Sequence, residues 1–301
     1  MGGDAMPIPE SQLETWSHQG AVTTSSATYA SIKRAVSASD SGYADKDVAV
    51  FLQGSYANDT NIRGDSDVDV VVELASVFRH SLGQLPPEQV RAFHAAYDNA
   101  TYQFSDFKQA VVEQLQSVYE ARTVQVGHKS TKLLAGSGRL GADIVVCQQY
   151  RDYHWFYDIS NQGYDEGIIF PTAYGQDVIN YPLQHSENCT KKHQATSQWF
   201  KPTVRIFKNI RSVLADRGVL SKETAPSYFV EGLLYNVPDG QFGGSYVDTV
   251  CNCFNWIRRA NRSQFLCPNG KSLLFGPLSV QWSPEKCDEF LRCIEEMWRL
   301  W

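Results

Sequence analysis

Two aspartates spaced two residues apart are the first groups in this chain that could do chemistry. Asp67 and Asp69 lie in the run Ser66-Asp-Val-Asp-Val-Val-Val72, which alternates and is rich in β-branched residues. Such a run predicts a strand, and period-two alternation sends both carboxylates to one face. Two carboxylates held side by side repel unless a cation lies between them. A divalent ion answers that need, and Mg²⁺ takes carboxylates together with substrate phosphates. A two-metal site calls for a third acidic group. Asp143, in the apolar run Gly141-Ala-Asp-Ile-Val-Val146, is the best candidate; Glu73, on the same strand face as Asp69, is the weaker one. Two such ions, about 3.5–4 Å apart, clamp the attacking and leaving oxygens of an in-line displacement.

A second signal precedes the aspartates. Phe51-Leu-Gln-Gly-Ser-Tyr56 reads as a strand end followed by a Gly54-Ser55 turn. Exposed backbone N–H groups and a hydroxyl there can cradle a triphosphate. A Gly-Ser turn alone says little. Followed 12 residues later by Asp-x-Asp on a β-branched strand, it points to a nucleotide-polymerising metal site. The competing reading is an ordinary turn and solvated strand-edge aspartates.

Other candidates lie further along. Lys201, Arg205 and Lys208 follow i, i+4, i+7 spacing, a basic stripe able to hold triphosphate oxygens or simply to face solvent. Arg205 is a salt-bridge candidate. Ser227 and Tyr228 follow Pro226 at a helix start, where the hydroxyl suits a phosphate and the ring a base, a stack worth about 1–3 kcal/mol. Asn180 offers a donor and an acceptor to a base edge, or is a turn residue. Gln53, Lys191 and Lys192 are weaker candidates. His185 and His193 form no H-x-x-x-H pair and read as surface loop residues. Seven cysteines, an odd number, fit reduced thiols. Cys251, Cys253, Cys267, Cys287 and Cys293 match no zinc spacing and read as core residues.

These residues need a scaffold. In the first half, periodicity predicts a helix over 26–36, strands over 48–52 and 67–74, and a helix after Pro86-Pro87. A helix over 106–122 capped by Ser105 follows, then strands over 123–126, 130–134 and 142–146. The second half predicts helices over 201–217, 226–235, 247–259 and 284–298. The fold class is therefore α+β, with lobes over 1–195 and 196–301 and the site expected in the cleft between them. The 301 residues are 43% hydrophobic and 20% charged, which excludes disorder and a coiled coil. A net charge of −6 disfavours stable polynucleotide binding but suits single nucleotides carried in on Mg²⁺. No run of 18 apolar residues predicts a membrane span, and Met1–Glu10 lacks the apolar stretch of a signal peptide.

The Gly-Ser, spacer, Asp-x-Asp pattern resembles the DNA polymerase β-type nucleotidyltransferases. The spacer Thr60-Asn-Ile-Arg63 narrows this to the CD-NTases, bacterial relatives of cyclic GMP-AMP synthase and oligoadenylate synthetase. Trp16-Ser-His-Gln-Gly-Ala21, Tyr29-Ala-Ser-Ile-Lys33, Ala142-Asp-Ile-Val-Val-Cys147 and Ile179-Asn-Tyr-Pro182 agree, as do Phe200 to Arg211 and Pro226 to Glu231. Leu234-Tyr-Asn-Val-Pro238 is most similar to the clade E (CdnE) branch.

The resemblance implies a polymerase β-like core with a helical C-terminal lobe, in a bacterial cytoplasmic enzyme. It implies synthesis of a cyclic di- or trinucleotide from NTPs (ATP, UTP or others) for anti-phage CBASS signalling through a separate effector protein. Asp67, Asp69 and Asp143 would hold two Mg²⁺ ions, with Mn²⁺ able to substitute, and Asp143 would help deprotonate the acceptor hydroxyl. Gly54, Ser55, Lys208, Ser227, Tyr228, Asn180 and Gln53 would bind nucleotide. The alternatives are a terminal nucleotidyltransferase acting on an RNA or protein acceptor, and a catalytically dead nucleotide-binding protein. The chain ends Glu295-Glu-Met-Trp-Arg-Leu-Trp301 on an amphipathic helix, so a C-terminal modification handle is not expected.

Overall fold

The β-branched run after Asp67 forms a long strand in a seven-stranded mixed sheet, paired on both sides. The computed structural model describes residues 8–20, 22–63, 67–278 and 280–301. Ser66 of the aspartate motif, Ala21 and the first seven residues of the N-terminal stretch lie outside the described residues.

In chain order the elements begin with α1 (Glu10–Ser17), α2 (Thr23–Val36), β1 (Val48–Leu52), α3 (Gly54–Ala57) and β2 (Asp67–Ser81). Then come α4 (Pro87–Ala96), α5 (Phe104–Val118), β3 (Val124–Val126), β4 (Thr131–Leu133), β5 (Gly141–Asp158), β6 (Asn161–Pro171) and β7 (Asp177–Asn180). The remainder is helical: α6 (Pro182–Ala195), α7 (Phe200–Asp216), α8 (Ser227–Tyr235), α9 (Tyr246–Arg259) and α10 (Pro284–Arg299).

Two compact units result, each drawn from non-contiguous chain. One takes the described residues of 1–22, 54–65 and 184–301; the other takes those of 23–53 and 66–183. Composition marks a single cut along the sequence, whereas the folded units exchange segments.

The second unit holds the sheet, in the order β1-β2-β5-β4-β3, with β6 pairing β5 and β7. β2 and β5 run parallel, and Asp69 is the register partner of Asp143. Val68, Val70, Val72 and Leu74 on β2 and Ala142, Ile144 and Val146 on β5 are buried. Both strands outrun the sequence expectation, ending at Ser81 and Asp158. Beyond Val146 the chain turns polar and aromatic, yet β6 pairs with it along nearly its full length and satisfies its backbone. α5 starts at Phe104 without a side-chain cap, and the Ser105 hydroxyl faces the Asp106 carboxylate instead of capping the helix.

The first unit is helical around one apolar core. Val204, Phe207 and Leu214 of α7, Leu233 and Leu234 of α8, Phe254 and Ile257 of α9, and Phe290, Ile294 and Trp298 of α10 meet there. Burial of such side chains contributes about 1.5–3 kcal/mol each. Cys253, Cys267, Cys287 and Cys293 are free and buried and Cys251 half-buried, as core packing requires. Helix α6 was hidden in the sequence. Its inward stripe is His185 and Cys189, not aliphatic residues, so no 3.6-residue apolar period marks it. His185 and His193 are accordingly helical, His185 buried and His193 half-buried, and neither is a surface loop residue.

Candidate active site

In the sheet unit, Asp67 and Asp69 lie half-buried at the N-terminal end of β2, on the same face. β5 begins with Gly141 opposite Asp67, which puts Asp143 opposite Asp69 across neighbouring strands. Gly141 is required by that closeness: a Cβ there would stand 2.3 Å from Asp67 Oδ1. The backbone N–H of Gln53, just past β1, donates to the Asp69 carbonyl at 3.0 Å and ties the end of β1 to the carboxylate strand. Gly54 follows in the left-handed region at φ 66°, where glycine avoids Cβ strain, and Ser55 is half-buried beside it in the helical unit.

Two further side chains partner the carboxylates. Lys132 on β4 is the register partner of Asp143 and donates from Nζ to Asp67 Oδ2 at 2.7 Å. The hydrogen bond to Asp67, then the charges of Asp67 and Asp143, hold the Lys132 ammonium above its ordinary value. Ser130 Oγ donates to Asp143 Oδ1 at 3.2 Å. A lone lysine in a three-residue strand is a weak sequence signal, and only the β4–β5 register identifies it. Three oxygen-donor carboxylates on adjacent strands fit a hard divalent cation. Glu73 does not join them. It sits opposite Cys147, four residues and about 13 Å along β2 from Asp69. It is 3% exposed, and its Oε1 has no hydrogen-bond partner among the described residues. Burial, with the charges of Glu166 and Asp47, pushes its carboxyl up to about 7 against the pull of Arg151. Asn180 is exposed at the end of β7, not in a turn, and its carbonyl lies 2.7 Å from where a Cβ on Gly167 would be.

In the helical unit the basic stripe of α7 is not solvated. Lys201 Nζ meets Asp59 Oδ2 at 2.8 Å, and Arg205 donates to the carbonyls of Ser17 and Asp59, so its partners are backbone oxygens. Lys208 is fully buried, with Nζ on the Thr60 carbonyl at 2.7 Å. In this structure the lysine therefore supports the 58–61 segment. Ser227, at the start of α8, accepts from Arg211 Nη1 at 3.0 Å. Tyr228 is 41% exposed, with its ring 5.3 Å from that of His185.

The comparisons agree with this architecture. Residues 31–123 match the nucleotidyltransferase domain, and residues 187–301 match the cGAS/DncV-like nucleotidyltransferase C-terminal helical domain. The cyclic UMP-AMP synthase of Rhodothermus marinus is 46% identical over 98% of this chain and 99% of its own. The chain belongs to the CD-NTase family. Another member, the cyclic nucleotide synthase CdnE01 of Staphylococcus haemolyticus, is 34% identical over 98% of this chain and 100% of its own. The solved structure of Rhodothermus marinus CdnE c-UMP-AMP synthase with Apcpp and Upnpp superposes with a TM-score of 0.88 at 45% identity, covering 98% of both chains. The chain is thus a nucleotidyltransferase of the cyclic nucleotide synthase kind, with a polymerase β-like core and a helical C-terminal domain. The terminal-transferase alternative is not favoured. This fold works with a divalent metal. Among the described residues no helix is long and apolar enough to cross a membrane.

Proposed function

We propose that the protein joins NTPs, UTP and ATP among them, into a cyclic dinucleotide by two successive nucleotidyl transfers. The observation that carries this reading is the register of Asp69 against Asp143 on parallel strands, with Asp67 on the same face. Similarity to a cyclic UMP-AMP synthase along the whole chain supports the choice of substrates. Asp67, Asp69 and Asp143 would hold two Mg²⁺ ions, or Mn²⁺. When bound, these supply charge neutralisation at the phosphates and a lowered pKa at the attacking hydroxyl.

The chain's own residues supply the rest. Asp143 accepts the proton of the acceptor ribose hydroxyl, with Ser130 orienting its Oδ1. Lys132 keeps Asp67 neutralised until nucleotide arrives. Backbone N–H groups of Gly54 and Ser55, the Ser55 hydroxyl and Ser227 hold phosphate oxygens. Tyr228 stacks on a base through its exposed face, and Gln53 and Asn180 read polar edges. Pyrophosphate leaves, and the linear intermediate undergoes a second transfer that closes the ring. The product then acts on a separate effector protein.

Purified protein with Mg²⁺ and all four NTPs, each omitted in turn, tests the reading by mass spectrometry of phosphatase-resistant products. Loss of product on omitting UTP or ATP is expected. Full product formation by Asp67→Asn combined with Asp69→Asn would falsify the metal assignment.

A further inference from the structure

Glu231 is a densely bonded buried charge of the helical unit to which the proposed reaction gives no role. Glu231 of α8 is 3% exposed. Its Oε1 accepts from Asn58 Nδ2 at 2.9 Å and lies 2.5 Å from His185 Nε2; its Oε2 accepts from the Thr60 hydroxyl at 2.5 Å. Cys189 Sγ also approaches Oε1, at 3.4 Å. Burial alone would push this carboxyl up. The hydrogen bond from His185, the charges of His185 and Lys208, and the Thr60 hydroxyl outweigh it and hold Glu231 down at about 2. The group is therefore a buried carboxylate, satisfied by donors from α6 and from the 58–60 segment.

Those two donors in the segment do double duty. The backbone N–H of Asn58 donates to the Gly54 carbonyl at 3.1 Å, and that of Thr60 donates to the Ser55 carbonyl at 2.9 Å. Each residue thus grips the Gly-Ser turn with its backbone and Glu231 with its side chain. Asp59 between them is held in the left-handed region at φ 54°, a strained setting for a non-glycine residue, by Lys201 on its carboxylate and Arg205 on its carbonyl. Lys208 grips the Thr60 carbonyl from behind. His185, a partner of Glu231 from α6, backs the Tyr228 ring.

We propose that Glu231 is a positioning residue that fixes the Gly54-Ser55 turn through Asn58 and Thr60, and the Tyr228 ring through His185, so that one buried carboxylate sets the places of phosphate and base together. This rests on the reading of Gly54, Ser55 and Tyr228 as nucleotide-binding. A metal held by His185, Cys189 and Glu231, whose ligand atoms lie within 4.8 Å of one another, is the rival account. Against it, both carboxylate oxygens of Glu231 already accept hydrogen bonds, from Asn58 and from Thr60.

The test uses the full chain and three variants. Thr60→Val removes one donor to Glu231 at nearly constant shape, Thr60→Ser keeps it, and Glu231→Gln removes the charge. Hydrogen exchange in the peptide spanning 54–61 is read beside steady-state NTP kinetics. Thr60→Val should speed exchange there, and not in α9 or α10, and should raise the NTP KM roughly tenfold with kcat within about twofold. Thr60→Ser should restore both. Glu231→Gln, if it folds, should speed exchange further. Unchanged exchange in the 54–61 peptide would overturn the proposal, as would a fall in kcat at constant KM. So would stoichiometric zinc in the wild-type protein that Glu231→Gln loses. Should the wild-type protein turn over no NTP, the functional reading falls while the exchange arm still decides whether Glu231 fixes the turn.

Discussion

Replacing Glu73 by Gln probes the electrostatics of the carboxylate strand without touching the three aspartates. Glu73 is buried beside Cys147 with one oxygen unpartnered among the described residues, and its carboxyl titrates near 7 in the folded protein against an ordinary value of 4.5. A group whose folded pKa is raised binds its proton more tightly in the native state. Its stabilising contribution is complete below about pH 4.5 and is lost as pH rises through about 7. The interval from 4.5 to about 7 corresponds to about 3 kcal/mol, most of which falls between pH 5 and pH 8. An amide at this position does not titrate and would carry no such dependence. The direct effect of the substitution on packing is the same at both pH values and cancels in the comparison. Denaturant unfolding of both proteins, followed by circular dichroism at pH 5 and pH 8, measures it. Glu73→Gln should gain about 2 to 3 kcal/mol relative to the wild-type protein on going from pH 5 to pH 8. A stability difference that stays the same at the two pH values would mean that Glu73 is ionised in the fold. The reasoning from its burial would then be refuted.

Further outcomes follow from the same geometry. Gly141→Ala places a methyl where Asp67 Oδ1 lies, so product formation should fall by about 10²-fold while the circular dichroism spectrum is retained. Wild-type rates would show that the Asp67 position is immaterial. Lys132→Met removes the cation on Asp67, an exposed pair worth up to about 1 kcal/mol, so the Mg²⁺ concentration at half-maximal rate should drop by up to about fivefold. A rise in that concentration would contradict the assigned competition. Glu231 has a lowered folded pKa, so its contribution is present above about pH 4.5 and lost as pH falls towards about 2. An acid titration of Glu231→Gln should be flatter than wild type over that window, and coincident curves would count against an ionised Glu231. Asn180→Ala should alter which NTPs enter the product in the omission assay, and an identical product set would remove Asn180 from base reading.

Much of the site could be read before folding because its residues are local in sequence. Asp67 and Asp69 sit in one strand, and Gly54-Ser55 follows another, so spacing alone suggests the proposed chemistry. The choice of Asp143 over Glu73 was also legible as a preference, but its reason is tertiary. Parallel pairing of β2 with β5 sets Asp143 opposite Asp69 and leaves Glu73 buried further along the strand. Lys132 and Ser130 were not legible, since only the β4–β5 register brings them to the carboxylates. The α7 stripe shows the converse limit. Helical spacing placed Lys201, Arg205 and Lys208 on one side correctly, but spacing cannot say whether that side meets solvent or another segment. Helix α6 escaped for a different reason, because its buried face is polar and its donors are satisfied by a carboxylate 40 and more residues away.

The amino-acid sequence by itself determined the elements and the chemical class: β-branched alternation makes the strand, and two carboxylates on one face of it call for a divalent cation. Tertiary structure decided which charges are in use and which are buried. Lys208 reads along the chain as one member of a basic stripe, to which only the family resemblance adds a phosphate, and Glu231 carries no signal of its own there. Both are sealed in the helical unit, one on a backbone carbonyl and the other among four donors. The physical reason is that a buried charge persists only where its partners converge, and that convergence comes from segments 58–61, 185–189, 208 and 231, which meet only when the chain is folded.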